Sequence, residues 1–302
     1  MRIDSHQHFW IYEPKRYPWI SDELKLIRRN FLPGDLAAEL GPLNMDGSIA
    51  VQARQTVDES RWLPDLADAH PAILGVVGWV DLQSESVDAT LAALARHPKF
   101  VGVRHMVQDE PDNRFMLREA FMRGIGILGQ YGLTYDLLVF PKQLSGAIEL
   151  VKEFPGQSFI LDHSAKPSIK MGMLSPWREH IKELAQHENV SCKVSGLVTE
   201  AKWGEWQQED FRPYLDIVFE AFGEDRLMFG SDWPVCLLSG SYRDVYGILD
   251  QYIRGLSGEL NTNLFGGNAA RIYLGLPGPG EKSRATGVFR TDPLPSHPPV
   301  RQ

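Results

Sequence analysis

Eight short runs rich in apolar and β-forming residues recur along the chain, at 2–8, 48–53, 73–80, 100–106, 133–138, 158–163, 189–195 and 226–232. Several are apolar almost without a break, as in Ile73-Leu74-Gly75-Val76-Val77. That is the composition of a strand covered on both faces, not of one with a wet side. Their starts lie about 25–45 residues apart, enough for one helix and two loops between consecutive strands. Strand–helix alternation repeated eight times predicts a parallel α/β fold, and eight units favour a closed (β/α)8 TIM barrel over an open sheet.

The stretches between the runs carry helical spacing. Residues 86–97 form the clearest case, stopped by Pro98. Helices are also expected over 114–130, weakened in its second half by Gly124 and Gly126, and over 143–154, 209–222 and 243–254. Two regions fall outside the pattern. The segment Trp10 to Pro33, rich in Trp, Tyr, Pro and Arg, reads as a long loop after the first strand, at the mouth of the barrel. The segment 275–302 is Pro-rich with little apolar periodicity and reads as an extended tail. The expected domain plan is a barrel over 1–274 followed by that tail.

A length of 302 residues suits one such barrel, and 43% hydrophobic residues suffice for a large core. The net charge of −8 and the lack of a basic run argue against nucleic acid or an anionic membrane as partner. Cys192 and Cys236 have neither metal-type nor redox-type spacing and read as small buried thiols. No apolar run reaches the roughly 18 residues of a membrane helix, and Met1-Arg2-Ile3-Asp4 does not open a signal peptide. A cytoplasmic enzyme is the expectation.

Chemistry concentrates at the ends of the predicted strands. In a strand, residues two apart share a face, so His6 and His8 are expected to point one way, with Asp4 one step deeper. His163 ends the sixth run and Asp232, within Gly230-Ser231-Asp232-Trp233-Pro234, ends the eighth. Barrel active sites sit at the C-terminal mouth, where these four groups would meet. An Asp can take a proton from water, and imidazoles can ligate a metal or donate hydrogen bonds to a carbonyl oxygen. The set suits hydrolysis.

His6-x-His8, His163 and Asp232 in these places resemble the amidohydrolase superfamily. Further motifs resemble its sugar-lactonase branch, which includes L-fuconolactonases and L-rhamnonolactonases. They are His6-Gln7-His8-Phe9-Trp10, Tyr17-Pro18-Trp19-Ile20, Gly102-Val103-Arg104-His105, Leu161-Asp162-His163, Lys193-Val194-Ser195-Gly196-Leu197, Phe229-Gly230-Ser231-Asp232-Trp233-Pro234 and Phe265-Gly266-Gly267-Asn268-Ala269. The resemblance spans about 2–274. It implies hydrolysis of a small-molecule sugar lactone, with Asp232 as general base on water and His6, His8 and His163 polarising the carbonyl. Metal-rich relatives carry a bridging Lys or Glu on strand four and a His on strand five. Here Arg104-His105 and Tyr135-Asp136 stand there, so no two-metal centre is expected. The resemblance implies that no cofactor is required; the alternative is one divalent ion, zinc, on His6, His8, His163 and Asp232.

Candidate substrate contacts are Arg104, Trp10, Trp203 and Asp136. Arg104 is preferred over His105 because only one of two adjacent strand residues faces inward, and relatives place an Arg there. Trp10, Trp19, Trp203 and Trp233 lie in loops or at strand ends, where aromatic faces can stack on sugar rings. Lys193 and Ser195 share a strand face and read as packing residues. His70, His97, His180 and His187, near helix ends, and His297 in the tail are set aside. The competing readings are a metal-dependent decarboxylase or dicarboxylate lactonase on the same constellation, and a non-catalytic sugar-binding barrel. Monomer and homo-oligomer both stay open.

Overall fold

The computed structural model describes residues 1–277. Eight strands, β1 (Ile3–Gln7), β2 (Gly47–Val51), β3 (Ile73–Gly78), β4 (Phe100–His105), β5 (Thr134–Leu137), β6 (Phe159–Leu161), β7 (Val190–Val194) and β8 (Leu227–Phe229), pair in parallel in chain order. The ring closes just beyond the last strand. The His8 amide donates to the Trp233 carbonyl at 2.7 Å, and the Asp232 amide donates to the His6 carbonyl at 2.8 Å. The expected (β/α)8 barrel is therefore present. The two hydrogen bonds that close it are made by residues of the strand-end motifs themselves.

The helices Val57–Ala69, Val87–Leu94, Glu119–Leu128, Leu144–Glu153, Trp177–Leu184, Gln208–Phe222 and Tyr242–Tyr252 follow strands two to eight. Their buried faces and the outward side chains of the strands make one continuous apolar layer. Each fully buried Leu or Phe there contributes about 1.5–3 kcal/mol. The helix expected over 114–130 is divided. Phe115–Leu117 form a 3-10 turn, Arg118 is extended at ψ 134°, and the helix proper starts at Glu119. The Trp10 to Pro33 segment is a loop pinched at its base, where Trp10 and Phe31 exchange backbone hydrogen bonds of 2.9 and 3.0 Å. Among the described residues, no helix is long and apolar enough to cross a membrane. The expected tail lies outside the described residues from 278 onward; before that, the Leu276 amide turns back to the Ala270 carbonyl at 3.1 Å.

Inside the barrel the filling changes from apolar to charged. Ile3, Ile49, Val51, Val77, Ile160 and Met228 pack with Ala269, Ala270 and Tyr273 of the helix Asn268–Leu274, which plugs the N-terminal end. Above them the inward positions are His6, Arg104, Asp136, Asp162 and Lys193, all buried.

β1 departs from simple alternation. Asp4 pairs with Ser48 but Gln7 with Ala50, so three steps on β1 match two on β2, a β-bulge. Asp4 and Gln7 consequently face outward, away from the His6 ring. Asp4 accepts from Ser231 Oγ at 2.6 Å, the Ser231 amide at 2.9 Å and Tyr242 Oη at 3.1 Å. The expectation that Asp4 shares the face of His6 and His8 is corrected: the bulge turns it outward, where it fastens β1 to the loop after β8.

Candidate active site

His6 lies within β1 and His8 one residue past its end; their Nε2 atoms approach to 3.2 Å. Asp232 Oδ1 stands 3.3 Å from His8 Nε2, 3.7 Å from His6 Nε2 and 4.0 Å from His163 Nε2. The four residues singled out in the sequence meet at the C-terminal mouth. Two of them do so by strained backbone and not by strand alternation. β6 ends at Leu161 and β8 at Phe229, earlier than expected, and His163 and Asp232 adopt φ of 54° and 55°. Ser164, Ala165 and Lys166 continue in the left-handed region at 50°, 58° and 51°. Each such residue costs about 1–2 kcal/mol, so the turn persists only because its surroundings dictate it. Trp177 Nε1 donates to the Ser164 carbonyl at 2.7 Å, and Ser195 Oγ meets His163 Nδ1 at 2.8 Å.

Two glycines make room for these rings. A β-carbon on Gly230 would lie 2.7 Å from His6 Cβ. One on Gly196, whose φ is +63°, would lie 2.7 Å from His163 Nδ1. Glycine is the residue that tolerates both the close approach and the positive φ.

The electrostatics settle the resting charges. Burial, which disfavours the charged form, lowers His163 to about 4, against the pull of Asp232 and Asp162. Burial also holds His6 well below the usual imidazole range, opposed by Asp162 and assisted by Lys193. For Asp232 burial acts upward, but His163, His6 and His8 together outweigh it and hold the carboxyl below the ordinary carboxylate range. At neutral pH the centre is thus a carboxylate beside neutral His6 and His163. The Val51 carbonyl, 2.8 Å from His8 Nδ1, can only accept, so His8 carries a proton on Nδ1 and turns Nε2 to Asp232.

Beneath His6 lies a buried ionic network. Lys193 Nζ reaches Asp136 Oδ2 at 2.5 Å, Asp162 Oδ1 at 3.0 Å and His6 Nδ1 at 3.2 Å. Arg104 donates to Asp162 Oδ2 at 2.9 Å and to the Gln52 carbonyl at 2.6 Å. Tyr273 Oη donates to Asp136 Oδ2 at 2.7 Å. Burial pushes the Asp162 carboxyl up, yet Lys193, His6 and Arg104 hold it well below the usual range. Two cations facing two carboxylates balance the formal charge, as burial at this depth requires.

A cavity of about 290 Å³ opens over this centre, floored by His8, His163, Asp232 and Arg104 and walled by Trp19 and Leu138 among others. A wider depression of about 800 Å³ lies beside it over the loops after β5, β6 and β7, and Lys166 lines both.

The secondary candidates divide. Arg104 faces the cavity as expected, and His105 faces outward between Phe115 and Phe121 with Nε2 2.7 Å from Glu110. Asp136 does not reach the cavity, because it is buried in the ion pair with Lys193 one layer below. Trp10 is 0% exposed and presents no face to a ligand; it packs edge-on against Trp19 at 5.7 Å, and Trp19 is the indole at the cavity wall. Trp203, 43% exposed, lines the wider depression and not the cavity over Asp232. Trp233 is buried against Phe9 and Phe31. Sequence reasoning passed over Asp162 and Tyr273 and placed Lys193 in packing. The signal for Asp162 was its inward parity with Ile160 on β6; nothing local marked Tyr273, which arrives from the far end of the chain.

His6 Nε2, His8 Nε2 and Asp232 Oδ1 lie close enough to share one divalent ion, and His6, Asp162 and His163 form a second such group. The four-residue ligand set expected from the sequence is split between these two triads. Neutral imidazole and carboxylate are the forms such an ion requires.

The family model described as amidohydrolase matches residues 3–274. An L-fucono-1,5-lactonase of Burkholderia multivorans is 40% identical over 292 residues, covering 93% of this chain and 98% of its own length. An L-fucono-1,5-lactonase of Burkholderia ambifaria is 37% identical over 280 residues, covering 90% of this chain and 95% of its own. The crystal structure of an amidohydrolase from Burkholderia multivorans with bound zinc matches with a TM-score of 0.87 at 41% identity, over 92% of this chain and 100% of that one.

Proposed function

This chain belongs to the amidohydrolase family, and from that premise we propose that it hydrolyses the ring ester of a sugar-acid lactone of the L-fucono-1,5-lactone type. The observation that carries the reading is the convergence of one low-pKa carboxylate and two imidazoles on the floor of a cavity of about 290 Å³, the scale of one sugar ring, with a third imidazole, His6, directly beneath. No larger substrate is needed to fill it.

In the proposed reaction Asp232 takes a proton from a water molecule, whose oxygen attacks the lactone carbonyl. His8 Nε2, 3.3 Å from Asp232 Oδ1, lies within reach of the proton so gained. With Ser195 donating to Nδ1, His163 presents an Nε2–H to the developing oxyanion, beside the Arg104 cation. Collapse of the tetrahedral adduct breaks the ring C–O bond. The ring oxygen takes up the proton held between Asp232 and His8, so water is added across the ester and a hydroxy acid leaves. The Nδ1–H of His8 is committed to the Val51 carbonyl, so His8 acts on the reacting groups through Nε2 alone. His6 is fully buried behind the cavity floor and acts from beneath.

One zinc ion fits His6, His8 and Asp232, and when bound it would polarise the carbonyl and lower the pKa of a bound water. Two cationic side chains within 3.3 Å of the His6 ring nitrogens, Arg104 and Lys193, oppose a further positive charge there. Hydrolysis is therefore expected to proceed on the protein's own groups.

The test is a pH-indicator assay of acid release over a panel of sugar lactones, with and without chelator. Turnover of a 1,5-lactone that persists in chelator is expected. No acid release from any lactone would overturn the lactonase reading. Loss of turnover on chelation, restored by zinc, would overturn its metal-independence alone.

A further inference from the structure

We propose that Gln108 and Lys166 bind the ring hydroxyls of the lactone, so that the cavity selects hydroxylated lactones over plain ones. The inference deepens the proposed reaction and rests on it.

Both side chains line the cavity over Asp232. Gln108 follows β4 and Lys166 follows β6, with Leu138 at the end of β5 between them. In a ring of eight strands paired in chain order, β4 to β6 stand across from β8 and β1, which lead into Asp232 and His8. A lactone attacked beside Asp232 and His8 therefore turns its far edge, which carries hydroxyls, toward Gln108 and Lys166.

Each of the two has hydrogen bonds to offer. The Gln108 backbone amide donates to the Leu138 carbonyl at 3.0 Å and fixes the residue in the wall. Its side-chain Oε1 is buried and has no partner among the described residues. An unpaired buried amide oxygen is costly, and a small rotation of the side chain toward a ligand hydroxyl relieves it. The Lys166 ammonium has three protons. One meets Glu200 Oε1 at 3.0 Å, and among the described residues Glu200 is its one hydrogen-bond acceptor. The Lys166 side chain is only 16% exposed, so its spare protons are held at the cavity and not spread through solvent. Arg104, the other cation of the lining, is already committed to Asp162 at 2.9 Å and the Gln52 carbonyl at 2.6 Å.

The backbone of Lys166 is strained to place it there. Its φ of 51° and ψ of 63° stand directly before Pro167, where extended backbone is favoured. Its amide donates to the His163 carbonyl at 2.8 Å, closing the turn that brings both side chains to the cavity. Strain of this kind is maintained at ligand clamps. An ammonium that donates and an amide that donates and accepts match neighbouring hydroxyls, while Trp19 and Leu138 supply apolar wall.

The test compares kcat/KM for L-fucono-1,5-lactone with that for δ-valerolactone, which has the same ring ester and no hydroxyl. The plain lactone is scored by turnover or, failing that, by its competitive inhibition of sugar-lactone hydrolysis. The ratio of the two is expected to fall about 10-fold in Gln108→Leu and about 10- to 100-fold in Lys166→Met, mostly through KM of the sugar lactone. A residue of merely structural importance would lower both lactones together and leave the ratio unmoved. An unchanged ratio in one variant with native circular dichroism would remove that residue from the site; in both it would overturn the inference and leave lactone hydrolysis standing. If one variant does not fold, the other carries the test. A native chain that turns over neither lactone would overturn the proposed reaction and this inference together.

Discussion

At the scale of single residues, catalytic capacity depends on keeping Asp232 ionised beside neutral His6 and His163. His163 sets the acid limit. Its value of about 4 lies below that of a free imidazole, so it is neutral at and above neutral pH and gains its proton only as the pH falls through about 4. Asp232 is held lower still and stays ionised across that window. A protonated His163 would pair with Asp232 and quench the base. The rate constant kcat is therefore expected to hold from pH 7 down to about 5 and to fall through about 4. A pH–rate profile checks this, and a limb near 6.5, the value of a free imidazole, would contradict it. The four central residues were legible in the sequence because their side-chain chemistry is distinctive and each falls near a strand end. Their tautomers were not, since these depend on partners such as Val51 and Ser195 that only the fold brings close. The choice of Trp10 failed for a related reason: two indoles in one loop look alike in sequence, and packing put Trp10 behind Trp19.

At the scale of elements, the first strand and the loop after the last are one structural unit. Strand alternation predicted Asp4 on the inner face, and one extra residue in β1 reversed that. A bulge leaves no composition signature here, which is why it escaped the sequence. Its consequence is a buried carboxyl that burial raises to about 6 even against the hydrogen bonds, chiefly from Ser231, that pull it down. Ser231→Ala removes the 2.6 Å bond and leaves Asp4 short of a donor at the barrel seam. Loss of about 1–3 kcal/mol of stability is expected, read from urea unfolding, with a drop in kcat because Asp232 is the next residue. An unchanged midpoint and rate would remove the seam from the mechanism. The strands themselves were read well, to within a few residues, because eight nearly continuous apolar runs have few other uses. The helix over 114–130 was read less well, since the extended Arg118 carries no local signal.

At the scale of the molecule, the barrel works as a graded interior. Its lower part is apolar and plugged by the helix Asn268–Leu274, its middle holds a neutralised ionic network, and its top carries the reactive groups. Tyr273 ties the plug to Asp136, so the C-terminal helix is joined through Lys193 to His6. No window of sequence shows a connection between residues so far apart. The barrel and its reactive end could be read from periodicity and motif; the layer that tunes them could not, because buried Lys, Asp and Tyr look like surface residues until the fold encloses them. The central claim is that Asp232 is the base of a lactone hydrolase, and the most direct test is steady-state turnover of L-fucono-1,5-lactone by the native chain and by Asp232→Asn at pH 7. A fall in kcat/KM of about 10³-fold, in a variant with the native circular dichroism and melting temperature, is the expected result. Near-native turnover by a folded Asp232→Asn protein would contradict it.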